Sequence, residues 1–256
     1  MIILNGDYPI DESKNMVRYI SFTKFVDLIL SEEIYFANAK MLSDQYEFNL
    51  TDNHKKEVFT EYLKFYDQKK AEEIVEIFEK TVEIHKNQIY INSWSEESDE
   101  SYAMWKIYLG GQDGVSIKTD FNCMKKAFEE SKAFIQIGKI LYSNQLGEHS
   151  GDPKMVFRKM KFYEFENEVR LYYYSSINNI KVVDDQTFKI YSLPEQESKN
   201  LNVNGFKVKV DLDSLIKEIR ISPFSNKSFE QLVVDFLSKV RPSLKNKIKK
   251  SLIMDK

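Results

Sequence analysis

Cysteine, histidine, glycine and long apolar runs are scarce in this sequence, and each scarcity excludes a class of protein. A single cysteine, Cys123, leaves no internal disulfide framework and fits a reducing compartment. The three histidines are isolated and lack metal-ligand spacing. No apolar run approaches the ~20 residues of a membrane span, and the N-terminus has no signal-peptide pattern. We therefore expect a soluble, cytoplasmic protein with no membrane partner and no resident metal.

The common nucleotide and hydrolase motifs are also missing. No Gly-x-x-x-x-Gly-Lys-Ser/Thr loop is present, and no Gly-x-Ser-x-Gly elbow occurs. Gly110, Gly111 and Gly114 come nearest to a dinucleotide-binding loop, but their spacing fits a tight turn better. The net charge of −3 gives no global case for binding a polyanion.

What is present is enough apolar material for a large core, 42% of the residues with 18 Phe and 15 Tyr. Strand-like and helix-like segments are interleaved without one-for-one alternation. This pattern predicts an α+β fold with a mixed or antiparallel central sheet flanked by helices. We expect a single domain over residues 1–256, with a helical insertion at about residues 54–88.

The most unusual segment runs from residue 163 to residue 174 and contains Glu166, Glu168 and Arg170. On a strand these three residues have the same parity and face one side. Two close carboxylates repel each other, and an adjacent guanidinium offsets that repulsion. A catalytic site and a structural ion-pair cluster would give the same pattern, so both interpretations stay open at this point.

Two further segments carry candidate residues. Asp44 and Glu47 follow a predicted strand, where a loop would place them at a sheet edge or simply cap a turn. Ser93-Trp94-Ser95 is followed by Met104-Trp105-x-x-Tyr108. Aromatic residues at that spacing belong to a core more often than to a cofactor platform.

The order of these segments resembles the bacterial domain of unknown function 2971 family. The resemblance covers about residues 17–223. Its motifs are Tyr19 on an opening strand, an aliphatic helix end at Leu28–Leu30, Leu42-Ser43-Asp44-Gln45-Tyr46-Glu47, Trp94-Ser95, Met104-Trp105-x-x-Tyr108, Gly114-Val115-Ser116-Ile117, Glu166-x-Glu168-x-Arg170 and Ile219-Arg220-Ile221-Ser222-Pro223. The family has Asn and Pro where this chain has Ser43 and Gln45, and Gly where it has Ser222.

A looser resemblance links the chain to ADP-ribosyltransferase toxins, which have Arg on a first strand, Ser-x-Ser on a later strand and then Glu-x-Glu. The matching residues are Arg18, Ser93 with Ser95, and Glu166 with Glu168. This resemblance implies an ADP-ribosyltransferase-like fold and NAD as the substrate. The distance from Ser95 to Glu166 is long for the pattern and requires an insertion.

The resemblance also implies roles. Glu168 would bind the ribose and stabilise the oxocarbenium-like centre formed when nicotinamide leaves, and Glu166 would act as the base for the acceptor. Arg18 would hold the cofactor's phosphate or ribose. The remaining residues expected in the NAD site are Tyr19, Ser21, Tyr35, Ser93 and Ser95, with Trp105, Arg170, Asp44 and Glu47 as further candidates. The acceptor would be a nucleic acid or a protein, with an antitoxin protein as a possible partner in a toxin or anti-phage setting.

Two alternatives come from other classes of function. A metal-dependent nuclease would use Asp44, Glu47, Glu166 and Glu168 as oxygen ligands for Mg²⁺. A non-catalytic sensor or partner-binding module would use the acidic cluster only to stabilise its fold.

Overall fold

A computed structural model describes residues 2–42, 44, 47–48, 51–144, 153–175, 180–184, 187–191 and 204–253. The strands are β1 (Ile2–Leu4), β2 (Asn15–Ser21), β3 (Glu33–Asn38), β4 (Ile89–Glu96), β5 (Gly114–Asp120), β6 (Ile135–Lys139), β7 (Leu141–Ser143), β8 (Arg158–Met160), β9 (Glu168–Tyr174), β10 (Ile180–Asp184), β11 (Thr187–Tyr191), β12 (Gly205–Lys209), β13 (Glu218–Ile221) and β14 (Ile248–Lys249).

The α-helices within these ranges are α1 (Phe22–Ser31), α2 (Asp52–Tyr62), α3 (Gln68–Gln88), α4 (Tyr102–Leu109), α5 (Phe121–Ala127), α6 (Leu212–Leu215), α7 (Lys227–Val240) and α8 (Pro242–Lys245). Short 3-10 turns occur at Ala39–Met41, Pro153–Phe157 and Lys161–Glu166. None of these helices is both long enough and apolar enough to span a membrane.

Ten of the described strands form one mixed sheet. Its main path is β1-β6-β9-β4-β2-β5-β13-β14, and β3 joins β4 to β12. The pairs β1–β6 and β13–β14 are parallel, whereas the other pairs in this sheet are antiparallel. The expected α+β class with a mixed sheet flanked by helices is therefore confirmed.

The two faces of the sheet are buried by different means. On β9, Val169, Leu171 and Tyr173 point into the main apolar core, which also contains side chains of α1, α5, α6 and α7. Glu168 and Arg170 alternate with these residues and lie on the opposite face. That face has two smaller apolar clusters, one around Phe157 and Tyr172 and one around Trp105.

One edge of β4 pairs with two different strands, and a gap opens between them. Near its end, β4 pairs with β2 through Met16–Glu96 and Val17–Ser95. Near its start it pairs with β3, through Ala37–Ile91 and Asn38–Tyr90. Residues 92–94 lie between these two pairings. We call this region the fork, defined by residues 17–20 of β2, residues 91–95 of β4 and Ala37 of β3.

A buried asparagine, Asn92, forms hydrogen bonds at the point where β4 pairs with neither β2 nor β3. Asn92 donates from Nδ2 to the carbonyl oxygen of Tyr35 at 2.7 Å, and its Oδ1 accepts a bond from the indole Nε1 of Trp94 at 2.7 Å. Because a buried unpaired amide is costly, these bonds stabilise the fork by joining β4 to β3 and fixing the Trp94 indole.

Three local expectations differ from the structure. The segment from Met155 to Phe162 is predicted as a helix, but it contains a 3-10 turn, strand β8 and the start of a second turn. The pattern Ser228-x-x-Gln231 predicts a capping box that opens the last long helix, but this helix is capped by Asn226, whose Oδ1 accepts from Phe229 N. An asparagine side chain can accept a hydrogen bond from an N–H of the first helical turn as well as a serine can, so Asn226 is an equally good cap.

The third difference concerns the parity of Glu166. That residue ends a 3-10 turn, and Asn167 follows in the left-handed region with φ of 42° before β9 begins at Glu168. Glu166 therefore reaches the same side as Glu168 through a turn and not through strand alternation. An asparagine suits this position because it tolerates left-handed backbone better than most residues.

Candidate functional site

Five buried charged side chains meet on the face of β9 opposite the main core. They form what we call the ionic cluster: Glu47, Lys159, Glu166, Glu168 and Arg170. Three carboxylates thus face two cations. Glu168 and Arg170 come from β9, Glu166 from the preceding turn, Lys159 from β8, and Glu47 from the chain after β3. Residues more than 100 positions apart therefore depend on one another for their charge balance.

Arg170 forms the best-aligned contacts of the cluster. It donates to Glu168 from Nε to Oε1 at 2.8 Å and from Nη2 to Oε2 at 3.0 Å, which is a bidentate pair. Its Nη1 donates to the carbonyl oxygen of Val156 at 2.8 Å and lies 3.0 Å from Glu47 Oε2. Every side of this fully buried guanidinium is therefore occupied.

Lys159 lies at the point where the three carboxylates converge. Its Nζ is 2.6 Å from Glu166 Oε2, 3.2 Å from Glu47 Oε1 and 3.3 Å from Glu168 Oε2. Its ammonium also lies 4.5 Å from the ring centroid of Tyr163. Among the residues that the structure describes, no group of three or more His, Cys, Asp or Glu side chains could hold a metal ion.

The two glutamates of the Glu-x-Glu motif titrate in opposite directions. Burial raises the pKa of Glu168, but Arg170 and Lys159 outweigh that effect, with hydrogen bonds from Arg170 and Ser93, and hold its pKa at about 2. Burial raises the pKa of Glu166, and the hydrogen bond and charge of Lys159 only partly offset this. Glu168 is thus ionised throughout the physiological range, and Glu166 is the carboxyl that binds a proton more readily.

A cavity of about 170 Å³ lies at the fork. Its wall includes both sides of the gap in the sheet, together with Lys24 of α1 and Tyr108 of α4. The fork residues in the wall are Val17, Arg18, Tyr19, Ile20, Ala37, Ile91, Ser93, Trp94 and Ser95, and Leu42 follows from the chain after β3. The structure therefore places the predicted Arg18, Tyr19, Ser93 and Ser95 around one cavity.

Within the part of the chain that the structure describes, Arg18 has no acidic neighbour of its own. Among the described residues no hydrogen bond or ion pair to Arg18 is formed, and its guanidinium carbon lies 6.0 Å from the Trp94 ring centroid. Burial lowers the pKa of Arg18 to about 10, and Tyr108 offsets only part of that effect. A desolvated cation without a counter-charge attracts anions. The cavity therefore offers a positive charge and N–H donors to a negatively charged group.

The cavity and the ionic cluster adjoin through two side chains, Ser93 and Tyr108. Ser93 lines the cavity and hydrogen-bonds the Glu168 carboxylate. Tyr108 also lines the cavity, and the charges of Glu166 and Glu168 raise its pKa further than burial alone. Neither glutamate belongs to the cavity wall, so the Glu-x-Glu motif lies behind Ser93 rather than beside Arg18.

Strand register explains this separation. Val17 pairs with Ser95, and Ser95 pairs with Glu168, so these three residues share one face of the sheet. Arg18 alternates to the other face, where it lies over Trp94. Arg18 and Glu168 approach the fork from opposite sides, and only the gap in the sheet makes both sides accessible from one cavity.

Several predicted site residues have other roles. Ser21 caps α1 by accepting from Lys24 N, and the exposed Tyr35 of β3 donates its hydroxyl proton to the carbonyl oxygen of Asn204. Trp105 is fully buried and donates from Nε1 to Glu100 Oε2 at 2.9 Å, so it is a core residue. None of these three side chains lines the cavity.

Tyr19 does line the cavity, and its hydroxyl is already engaged. It donates to Glu97 Oε2 at 2.7 Å and accepts from Ser101 N at 2.7 Å, while its ring meets Trp105 edge-on at 4.9 Å. Burial raises the pKa of Glu97 to about 7. Tyr19 therefore presents its ring to the cavity with its hydroxyl fixed.

The predicted loop residues divide into two groups. Glu47 joins the ionic cluster through Lys159 and Arg170. Asp44 lies close enough to Tyr163 for its charge to raise that phenol's pKa, after the larger effect of burial. Ser43, Gln45 and Tyr46, on which the loop motif partly rests, lie outside the described residues.

Sequence reasoning missed Lys159, Tyr108 and Asn92 as site residues. Lys159 falls in a segment interpreted as a helix, where a lysine is ordinarily a solvated side chain. In the sequence Tyr108 is part of an aromatic motif, and Asn92 is one polar residue within an apolar strand. A polar residue inside such a strand was the available signal, because it must find a partner when buried.

Comparison with known proteins gives no match to this chain: no family model fits it, and neither a curated protein nor a solved structure is significantly similar. The two resemblances described from the sequence therefore stay predictions.

Proposed function

We propose that this protein is an NAD-consuming enzyme of the ADP-ribosyltransferase type, with its cofactor site at the fork cavity. One observation supports the proposal above the others. The three motifs that resemble the toxin pattern lie on the consecutive sheet neighbours β2, β4 and β9, and they meet at the cavity and the ionic cluster beside it. Arg18 and Glu168 are 150 positions apart in sequence, with Ser93 midway between them.

The cavity fits part of a dinucleotide. Pockets for whole drug-sized ligands usually measure about 300–1,000 Å³, so a cavity of about 170 Å³ holds one ring and leaves the remainder at its mouth. Trp94, Tyr19 and Tyr108 offer aromatic surfaces for the nicotinamide. The guanidinium of Arg18, which has no ion-pair partner in the described ranges, and the ammonium of Lys24 suit the diphosphate.

The available lone pairs suggest a division of roles between the two glutamates. Glu168 accepts from Arg170 twice, from Lys159 and from Ser93, which fills the roughly four acceptor positions of a carboxylate. We assign Glu168 the role of a fixed negative charge behind Ser93. Among the described residues Glu166 accepts one side-chain bond, from Lys159, so lone pairs of its carboxylate remain for the nucleophile of the acceptor or for a ribose hydroxyl.

In the proposed reaction the C–N bond between ribose and nicotinamide breaks, and nicotinamide leaves with the bonding electron pair. The negative charges of Glu168 and Glu166 stabilise the oxocarbenium-like ribose carbon. The nucleophile of a nucleic acid or protein acceptor then bonds to that carbon and loses its proton to Glu166. Burial raises the pKa of Glu166, which makes it the stronger base of the two glutamates.

A second candidate function is favoured by the same saturation of Glu168. A cluster in which every cation contacts several carboxylates is also what a structural core of buried charges requires. A non-catalytic sensor or partner-binding module would have this cluster and no turnover. The Mg²⁺-dependent nuclease gains no support, since the Lys159 ammonium fills the position where Glu47, Glu166 and Glu168 converge.

The test is incubation with labelled NAD and mixed DNA, RNA and protein acceptors, with free nicotinamide and transferred label as readouts. We expect the wild type to consume NAD and Glu166→Gln to lose at least ~100-fold of that rate, the range for a lost general base. The melting temperature of Glu166→Gln should stay near that of wild type, because neutralising one of three carboxylates leaves two facing two cations.

The matched control is Glu164→Gln, an exposed glutamate in the same 3-10 turn. It should leave both NAD consumption and melting unchanged. If the wild type consumes no NAD with any acceptor, and Glu168→Gln lowers only the melting temperature, the non-catalytic module is the correct interpretation.

A further inference from the structure

The ionic cluster depends on one residue that no sequence motif contains. Lys159 contacts all three of its carboxylates, with Nζ 2.6 Å from Glu166, 3.2 Å from Glu47 and 3.3 Å from Glu168. Arg170, the other cation, contacts Glu168 and Glu47. Glu166 therefore has Lys159 as its cationic partner among the described residues.

The other groups facing Glu166 do not stabilise its charge in the same way. Glu168 and Glu47 repel it, since both lower the tendency of a nearby carboxyl to ionise. Tyr108 of α4, Tyr142 of β7 and Tyr163 of the turn also lie within electrostatic range and are neutral phenols with raised pKa values. Arg170 is already paired with the competing carboxylates.

We propose that Lys159 is the positioning residue of this site, ordering Glu166 and Glu168 and holding Glu166 ionised so that it can act as a base. Only the catalytic role of Glu166 as a base rests on the proposed function. The ordering of the two glutamates and the ionisation of Glu166 are properties of the ionic cluster itself. A primary ammonium suits the position, as its three protons match three carboxylates.

The backbone of Lys159 supports this role. β8 pairs in parallel with β7, with Tyr142 opposite Lys159. The Tyr142 hydroxyl in turn accepts a bond from the backbone N–H of Glu168 at 2.8 Å. The same short two-stranded unit therefore places the ammonium and fixes the start of β9.

The experiment follows the carboxyl ¹³C signal of Glu166 by NMR against pH in protein labelled at glutamate, with the signal assigned by its loss in Glu166→Gln. In Lys159→Met we expect the midpoint of Glu166 to rise by about 1 pH unit or more, the usual effect of removing an adjacent opposite charge. Lys159→Arg should recover most of that shift. Lys161→Met, an exposed lysine two residues away, should leave the midpoint unchanged.

A second readout is the pH profile of NAD consumption. Because the base must be ionised, the acid limb of this pH profile should move to higher pH in Lys159→Met by the same amount as the NMR midpoint. A folded Lys159→Met with an unchanged Glu166 midpoint overturns the proposal. Should this variant not fold, Lys159→Met/Glu47→Gln restores the original excess of one carboxylate, and the same midpoint is measured there.

The two proposals fail separately. If no NAD is consumed, the enzymatic function fails, while the NMR midpoint still decides whether Lys159 controls the charge of Glu166. If NAD is consumed and the midpoint does not move, the enzyme stands and Lys159 has no such role.

Discussion

Arg18 and Arg170 lie on strands of the same sheet, yet their surroundings are opposite. Arg170 is fully buried, with two carboxylates and a backbone carbonyl as partners, and its pKa is raised by Glu168 and Glu47 against the effect of burial. Arg18 is half-buried in the cavity wall with no partner among the described residues, and burial lowers its pKa to about 10.

The difference separates a structural charge from an available one. A saturated guanidinium stabilises the fold and offers nothing to a ligand, whereas a desolvated and unpaired one costs stability that a bound anion would recover. On this comparison we expect a ligand to contact the fork, with Glu168 and Arg170 as the support behind it. The following predictions test that division.

The largest effect should come from removing Arg170. Arg170→Met leaves Glu168 and Glu47 buried with one cation fewer, and breaking a buried pair in this way costs about 3–5 kcal/mol. The measurement is the free energy of unfolding in denaturant. Lys64→Met removes the exposed pair with Glu61 instead and should cost no more than ~0.5 kcal/mol. Similar losses in the two variants would contradict the assignment of Arg170 as structural.

A smaller effect should appear in the pH dependence of stability. The pKa of Glu168 is about 2 in the folded state, against an unperturbed value of 4.5. A depressed carboxyl pKa stabilises the fold above pH 4.5, and this contribution disappears as pH falls from 4.5 towards 2. Unfolding free energies measured across that window should fall more steeply for the wild type than for Glu168→Gln. Equal slopes would show that Glu168 is not held by its cations.

The smallest effect, and the one of opposite sign, should come from Arg18. Arg18→Met removes a desolvated charge that has no partner among the described residues, so it should leave stability unchanged or raise it by up to about 1 kcal/mol. Millimolar ADP-ribose should raise the melting temperature of the wild type and not that of Arg18→Met, since a ligand stabilises only the state that binds it. A loss of several kcal/mol in Arg18→Met would make Arg18 structural and end the comparison.

The sequence was informative where a single segment carries the signal. The apolar periodicity of residues 54–88 predicted helices, and α2 and α3 occupy that region. The β-forming run after Glu168 predicted a strand, which is β9. The prediction of a helix at residues 155–162 was wrong, because the pairing of β8 with β7 overrides the local helical preference there. For this reason Lys159 was not predicted as a site residue.

The sequence by itself determined the α+β fold class and the candidate motifs, which are one acidic motif, a Ser-x-Ser motif and an arginine on an early strand. It could not determine which charges are satisfied, because pairing is decided by register between distant strands. Ser95 is beside Glu168 and Val17 is beside Ser95, and a shift of one residue would turn every side chain to the other face. Only the tertiary structure placed Glu47 and Lys159 against Arg170 and Glu168, and left Arg18 without a counter-charge among the residues that it describes.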